Sequence, residues 1–224
     1  VQAFNKFGRR AMLEWCDKAY DYVKELDEEY SNWLCIPRSI KMTSIKPSGT
    51  VSLLNGSTPG IHFPESEYYI RRIRFSSEST LLIPLAEAGY VIEDDEYSPN
   101  TKVVEFPVHE PFFEKGKKDV SMWEQLEIAA QYQHFWADNA VSVTVTFNDE
   151  EAPQIKNALE LYEKRLKAVS FLRYKETGYT QAPYEAITKE QFEARVKDIT
   201  PIQRIDDDEG GSGSKFCTND SCTI

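Results

Sequence analysis

The chain has 224 residues, among them 12 Phe, 12 Tyr and 4 Trp, and a formal net charge of −11. That length can bury a substantial core, as one large domain or two small ones, while the charge argues against direct DNA binding or attachment to an anionic membrane. No apolar run reaches the roughly 20 residues that span a bilayer, and four cysteines in so long a chain are not the disulfide framework of a small secreted domain, so a reducing, cytoplasmic setting is expected.

In chain order, Met12, Trp15, Ala19, Tyr22, Leu26, Tyr30 and Trp33 recur at steps of three and four. The spacing predicts a helix over residues 9–34 with one apolar stripe, ended by Pro37. A strand-like approach then stops at Pro47, small residues make a turn, and a short helix closes at Asn55-Gly56. The amides of Gly49, Thr50 and Val51 and the hydroxyls of Ser48 and Thr50 would gather at that helix start, a setting suited to a phosphate. Pro47, Ser48, Gly49, Thr50, Val51 and Ser52 are therefore the candidate phosphate-binding residues, with an ordinary capped helix as the alternative. The Gly-x-x-x-x-Gly-Lys-Ser/Thr spacing of a nucleoside-triphosphatase loop is missing.

Strands are expected at Tyr68–Phe75 and Val103–Pro107. Ser121-Met-Trp-Glu124 reads as a capping box opening a helix with Leu126, Ala129, Ala130, Gln133 and Trp136. In residues 138–147, Val141, Val143, Val145 and Phe147 alternate with Ser142, Thr144 and Thr146, which predicts a strand with one apolar and one hydroxyl face. A helix from about Glu150, with Pro153 in its first turn, a strand at 169–174 and a helix capped by Thr188 complete the pattern. Helices alternating with short strands favour an α/β architecture, part of a barrel or sheet. Arg71, Arg72 and Arg74 are candidates to complement phosphates or a partner's carboxylates. His62, His109 and His134 are too scattered for metal or acid–base work, and no metal site is expected.

Residues 206–214, Asp-Asp-Asp-Glu-Gly-Gly-Ser-Gly-Ser, contain no apolar side chain. Such a segment cannot offset the entropy of ordering it and is expected to be a flexible linker. It leads to Cys217 and Cys222, a thiol pair that such a tether would let exchange a disulfide at another site and swing out again, with an incidental pair of exposed thiols or part of a metal site as the alternatives.

Residues 39–51, Ser-Ile-Lys-Met-Thr-Ser-Ile-Lys-Pro-Ser-Gly-Thr-Val, resemble the phosphate-binding stretch of adenosylcobalamin-dependent (class II) ribonucleotide reductases, most nearly the monomeric ribonucleoside-triphosphate type. Gly60-Ile-His-Phe63, Ile73-Arg-Phe75, Val104-Glu-Phe-Pro107, Asp138-Asn-Ala-Val-Ser142, Gln181-Ala-Pro183 and the terminal Cys217-x4-Cys222 follow in that family's order. The resemblance implies a ten-stranded α/β barrel in which a finger-loop cysteine becomes a thiyl radical and two barrel cysteines supply electrons. Neither that Cys-x-Glu loop nor the barrel pair is found here; Cys16 and Cys35 read as small structural residues.

The implied role is thus the C-terminal part of the reductase, completed by an N-terminal polypeptide, with adenosylcobalamin, a ribonucleotide substrate and a thioredoxin-like reductant. Residues 1–205 would belong to the barrel and 206–224 to a redox-active tail in which Cys217 and Cys222 re-reduce the active site. The rival readings are a non-catalytic interaction or regulatory subunit and a stand-alone dithiol oxidoreductase.

Overall fold

The structure, a computed structural model, describes residues 1–47, 49, 52, 57–174 and 180–202. Ser48, Thr50, Val51 and the expected tail with Cys217 and Cys222 lie outside the described residues.

Gly8, at φ 80°, separates helix α1 (Gln2–Phe7) from the 26-residue α2 (Arg9–Leu34). The predicted bounds of α2 hold, and it stops where Cys35 takes left-handed backbone two residues before Pro37. The apolar stripe, however, turns mostly away from this chain's interior. The half-buried and buried positions include Met12, Cys16, Tyr20, Val23, Leu26, Asp27 and Ser31, so Met12 and Leu26 of the stripe are partly covered, whereas Trp15, Tyr22, Tyr30 and Trp33 are exposed.

Four strands form an antiparallel sheet in the order β2-β3-β1-β6: β1 (Tyr68–Ser76), β2 (Val91–Asp94), β3 (Thr101–His109) and β6 (Tyr184–Ala186), with helix α3 (Leu82–Glu87) between β1 and β2. β1 and β3 pair over their full length, from Tyr68 opposite His109 to Ser76 opposite Thr101. β3 continues past Pro107, where a strand end was expected. β2 covers only Lys102–Glu105 on its other side, so Pro107 sits where that side of β3 is an edge and tolerates a residue without an N–H.

A buried charge network fastens this sheet. Arg72 on β1 bonds Glu105 on β3 through Nε at 2.9 Å and Nη2 at 2.7 Å, and both side chains are almost fully buried. Arg72 also pairs with Glu185 on β6, and Arg195 on helix α6 (Lys189–Val196) pairs with the second oxygen of Glu105. Four elements are thus tied through two charges that burial makes costly to separate. The start of α6 is set locally: the Thr188 side chain accepts from Gln191 N–H while the Gln191 side chain accepts from Thr188 N–H.

The main apolar core lies elsewhere, between helix α4 (Met122–Phe135) and β4 (Thr144–Phe147). Met122, Leu126, Ile128, Ala129 and Ala130 pack with Val141, Val143, Val145, Ala158 and Tyr162. Ser121 caps α4 as expected, accepting from Glu124 N–H, and the Glu124 carboxylate bonds Lys115. A single turn at Ala152–Gln154, carrying Pro153, leads into α5 (Ile155–Tyr162), which crosses to β5 (Ser170–Arg173). β4 and β5 pair in parallel, Thr144 opposite Ser170, as a crossover helix permits. The chain is α/β, with one antiparallel sheet and one parallel pair.

Glu105→Ala is expected to destabilise the fold by about 3–5 kcal/mol, because Arg72 would lose its buried counter-charge and keep only the half-exposed Glu185. Glu185→Ala, which removes a half-exposed partner, should cost less than about 1 kcal/mol. Urea denaturation of the two variants measures the difference.

Candidate phosphate-binding site

Residues 42–46 and 57–63 are the two legs of the loop carrying Pro47, Gly49 and Ser52, and both are fastened to the run 136–146. On the first leg, Met42 N–H donates to Asp138 Oδ2 at 2.8 Å and Asn139 N–H to the Thr43 carbonyl at 3.2 Å. Trp136 Nε1 donates to the Ser44 carbonyl and Ser142 N–H to the Ile45 carbonyl, each at 3.3 Å. Thr43 is buried; its hydroxyl donates to the Trp136 carbonyl and accepts from Asp138 N–H. These bonds explain why the strand expected over 138–147 becomes a ladder only from Thr144: the preceding residues give their hydrogen bonds to the loop's leg.

Asp138 is the centre of this brace. Its other oxygen accepts from Tyr20 Oη at 2.9 Å, which ties α2 to the same point. Burial alone would raise the carboxyl, but bonds from Met42 N–H, Tyr20 and Thr43 outweigh it and hold Asp138 below its ordinary value; the same bond raises Tyr20.

The second leg is held by His62. Its Nδ1 lies 3.0 Å from the Pro59 carbonyl, and its Nε2 accepts Thr144 N–H at 3.1 Å. Nε2 must therefore be unprotonated and Nδ1 carries the proton, a neutral imidazole with both nitrogens engaged. Burial lowers its pKa, and nearby Lys117 lowers it further, against the opposing bond to Pro59. Ile61 and Phe63 on either side are anchored in the core.

The legs also meet each other. Gly60 has φ 53°, and a Cβ there would lie 2.6 Å from the Lys46 carbonyl oxygen, so the approach requires glycine. Gly49 is the opposite case: a Cβ built on it meets nothing within 4 Å among the described residues, which leaves room beside its backbone. Pro47 is exposed, Gly49 half-buried, and Ser52 is helical with its carbonyl accepting from Ser57 N–H at 3.0 Å. Of the six predicted loop residues, the structure places these three between the braced legs; Ser48, Thr50 and Val51 lie outside the described residues.

The three arginines turn inward on this chain's own groups, contrary to the phosphate or partner role considered for them. Arg72 is committed to Glu105 and Glu185, Arg74 pairs with Asp95 at 3.1 Å, and Arg71 lies over the Tyr184 ring at 4.4 Å. Cys16 is half-buried and burial pushes its thiol up, whereas Cys35 is exposed at the end of α2. Among the described residues no three His, Cys, Asp or Glu side chains converge as a metal site, and no helix is long and apolar enough to cross a membrane. His62 and Asp138 were not singled out from the sequence; the one available signal was their place beside the loop in the motifs Gly60-Ile-His-Phe63 and Asp138-Asn-Ala-Val-Ser142.

No family model matches the chain. It is 46% identical, over 97% of its length, to a probable adenosylcobalamin-dependent ribonucleoside-triphosphate reductase of Dictyostelium discoideum, and 43% identical, over 99% of its length, to an adenosylcobalamin-dependent ribonucleoside-triphosphate reductase of Euglena gracilis. It covers 30% and 32% of those two proteins, so it spans about a third of the length of such relatives. The crystal structure of a B12-dependent (class II) ribonucleotide reductase superposes with a TM-score of 0.77 at 40% identity, covering 86% of this chain and 28% of that one. The chain is therefore similar, over nearly all its length, to the C-terminal portion of class II ribonucleotide reductases.

His62→Ala should cost about 1–3 kcal/mol, since it leaves Thr144 N–H and the Pro59 carbonyl without their partner. A lowered pKa means that the folded state prefers neutral His62. The stabilisation is whole above the ordinary histidine value of 6.5 and is lost as pH falls through the lower folded value. Thermal melting from pH 8 to pH 5 should show the parent losing stability on acidification and His62→Gln losing less.

Proposed function

We infer that these residues form the C-terminal part of an adenosylcobalamin-dependent ribonucleoside-triphosphate reductase, which converts ribonucleotides to 2′-deoxyribonucleotides. The observation that carries this reading is identity of 46% across 97% of the chain to such a reductase, with the Pro47–Ser52 loop falling inside the match. The loop would hold the substrate's phosphates. Its two legs are fixed by hydrogen bonds before any ligand arrives, so little ordering would be left to oppose binding, and the open side of Gly49 gives a phosphate oxygen access to backbone N–H groups.

Completion of a barrel by further polypeptide is part of this reading, and the parallel pair supports it. Ser170 and Tyr174 N–H donate to the Val143 and Phe147 carbonyls, so that side of β5 faces β4. The other side of β4 is closed: Ser142, Thr144 and Thr146 N–H groups donate to Ile45 O, His62 Nε2 and Gln125 Oε1. Growth of the sheet is left to the outer edge of β5, which pairs with no strand among the described residues. A two-stranded parallel sheet is rarely stable unaided.

Adenosylcobalamin, bound by the assembled enzyme, would supply the radical through homolysis of its cobalt–carbon bond. The described residues do not fit that group. A cavity of about 990 Å³ beside the antiparallel sheet is lined by charged residues such as Glu65, Arg72, Glu105, Glu185 and Arg195, a poor match for the broad face of a corrin. His62, the best buried imidazole, has no free nitrogen for a metal. The corrin would thus rest on the remainder of the enzyme. Cys217 and Cys222 would return electrons to the active site and be re-reduced by a thioredoxin-like protein, a role that rests on sequence alone.

Mixed with a polypeptide carrying the rest of the Dictyostelium relative, the chain should reduce a ribonucleoside triphosphate, and alone it should not. Robust activity of the isolated chain, or none in the mixture, would contradict the reading. In the active mixture Gly49→Val should weaken nucleotide binding by about 1.5–3 kcal/mol per charge-assisted bond lost, without unfolding the loop. Cys217→Ser and Cys222→Ser should leave the first turnover intact and abolish cycling with thioredoxin, with partial rescue by dithiothreitol.

A further inference from the structure

α2 has three sectors. One, through Met12, Cys16, Tyr20, Val23, Asp27 and Ser31, faces this chain. A second, with Asp17, Asp21, Glu25 and Glu28, is charged and exposed, as befits water. The third lies about a quarter turn from the first and is aromatic, yet open: Trp15, Tyr22, Tyr30 and Trp33 are 48%, 61%, 50% and 69% exposed. Their spacing spreads them along about 27 Å of one helix face. Phe7 and Trp15 touch edge to face at 5.1 Å, as do Tyr30 and Trp33 at 5.3 Å, so the rings are grouped rather than scattered. Beyond the helix end the surface continues through Leu34 and Ile36 to Ile40, which is 95% exposed. Single exposed apolar side chains need no explanation, but four exposed aromatic rings along one helix face mark a contact surface.

We propose that this face of α2 is the surface on which the remainder of the reductase polypeptide docks. The proposal rests on the reading given under Proposed function and adds to it the place of contact. The occupant follows from length: the chain covers 30% of the Dictyostelium relative, leaving about 70% of that protein to lie against something. Asp138 provides the link to the site. Tyr20, on the inner face of the same helix, bonds the carboxylate that holds Met42 and Thr43, so a partner seated on α2 presses on the brace of the phosphate loop. Buried aromatic anchors are the residues from which such an interface draws most of its affinity.

The test uses the parent chain and a polypeptide carrying the unmatched part of the Dictyostelium relative. Hydroxyl-radical labelling should show Trp15, Tyr22 and Trp33 protected in the complex, and the triple variant Trp15→Glu, Tyr22→Glu, Trp33→Glu should bind about 100-fold more weakly. Leu161→Glu, an exposed apolar position on α5, should change affinity less than about threefold. Circular dichroism should be unchanged in both variants, because no substituted side chain is buried. A complex that forms equally well with the triple variant, with the three rings still labelled, would overturn the docking surface while leaving the functional reading in place. Failure of the parent chain to associate at all would sink the functional reading itself. Protection of the rings by self-association of this chain, lost in the triple variant and absent from the mixed complex, would assign the face to a second copy and overturn the proposal.

Discussion

An extended backbone offers its hydrogen-bonding groups to alternate sides, and the run 138–147 spends the two sides on different neighbours. On one side the amides of Ser142, Thr144 and Thr146 are taken by Ile45, His62 and Gln125; on the other the carbonyls of Val143 and Phe147 receive β5. Val141, Val143 and Val145 are buried in the main core, so a slip of one residue would turn every one of them outward. Apolar packing therefore fixes the register, the register fixes which amides face the loop, and those amides fix both legs of the loop. Asp138 completes the arrangement by drawing Tyr20, Met42 and Thr43 to one carboxylate.

The antiparallel sheet is stabilised differently, through the buried Arg72–Glu105 pair and its extensions to Glu185 and Arg195. Such pairs contribute more to specifying which strands meet than to net stability. Two surfaces are left uncovered among the described residues. The aromatic face of α2 is open, and the outer edge of β5 pairs with no strand among the described residues. Both features fit a chain that is one part of a larger folded unit, and both lie on elements directly connected to the loop's brace.

What the sequence made legible was local. The bounds of α2, the Ser121 and Thr188 caps and the Pro153 turn depend on residues within a few positions of one another, and each is found in the structure. α1, α3, β2 and β6 were not foreseen, since each has six residues or fewer, and β6 also depends on a partner strand, β1, far away in sequence. The same limit applies to the site. The small residues of the loop and their family resemblance drew notice, but His62 and Asp138 act on residues 82 and 96 positions distant, and no local pattern shows that. The stripe on α2 was legible as apolar, but the exposure of its aromatic rings was not. Periodicity reports that a face is to be covered, not by which polypeptide.

The central claim is that the braced loop is a phosphate site. Its most direct test is the amide resonance of Gly49 in the assembled complex, followed by NMR as a ribonucleoside triphosphate is added and then, separately, the matching ribonucleoside. The account predicts a saturable shift of that resonance with the triphosphate and little with the nucleoside, because phosphate oxygens are what the loop amides would bind. Equal shifts with both ligands, or none with the triphosphate while it demonstrably binds, would contradict it.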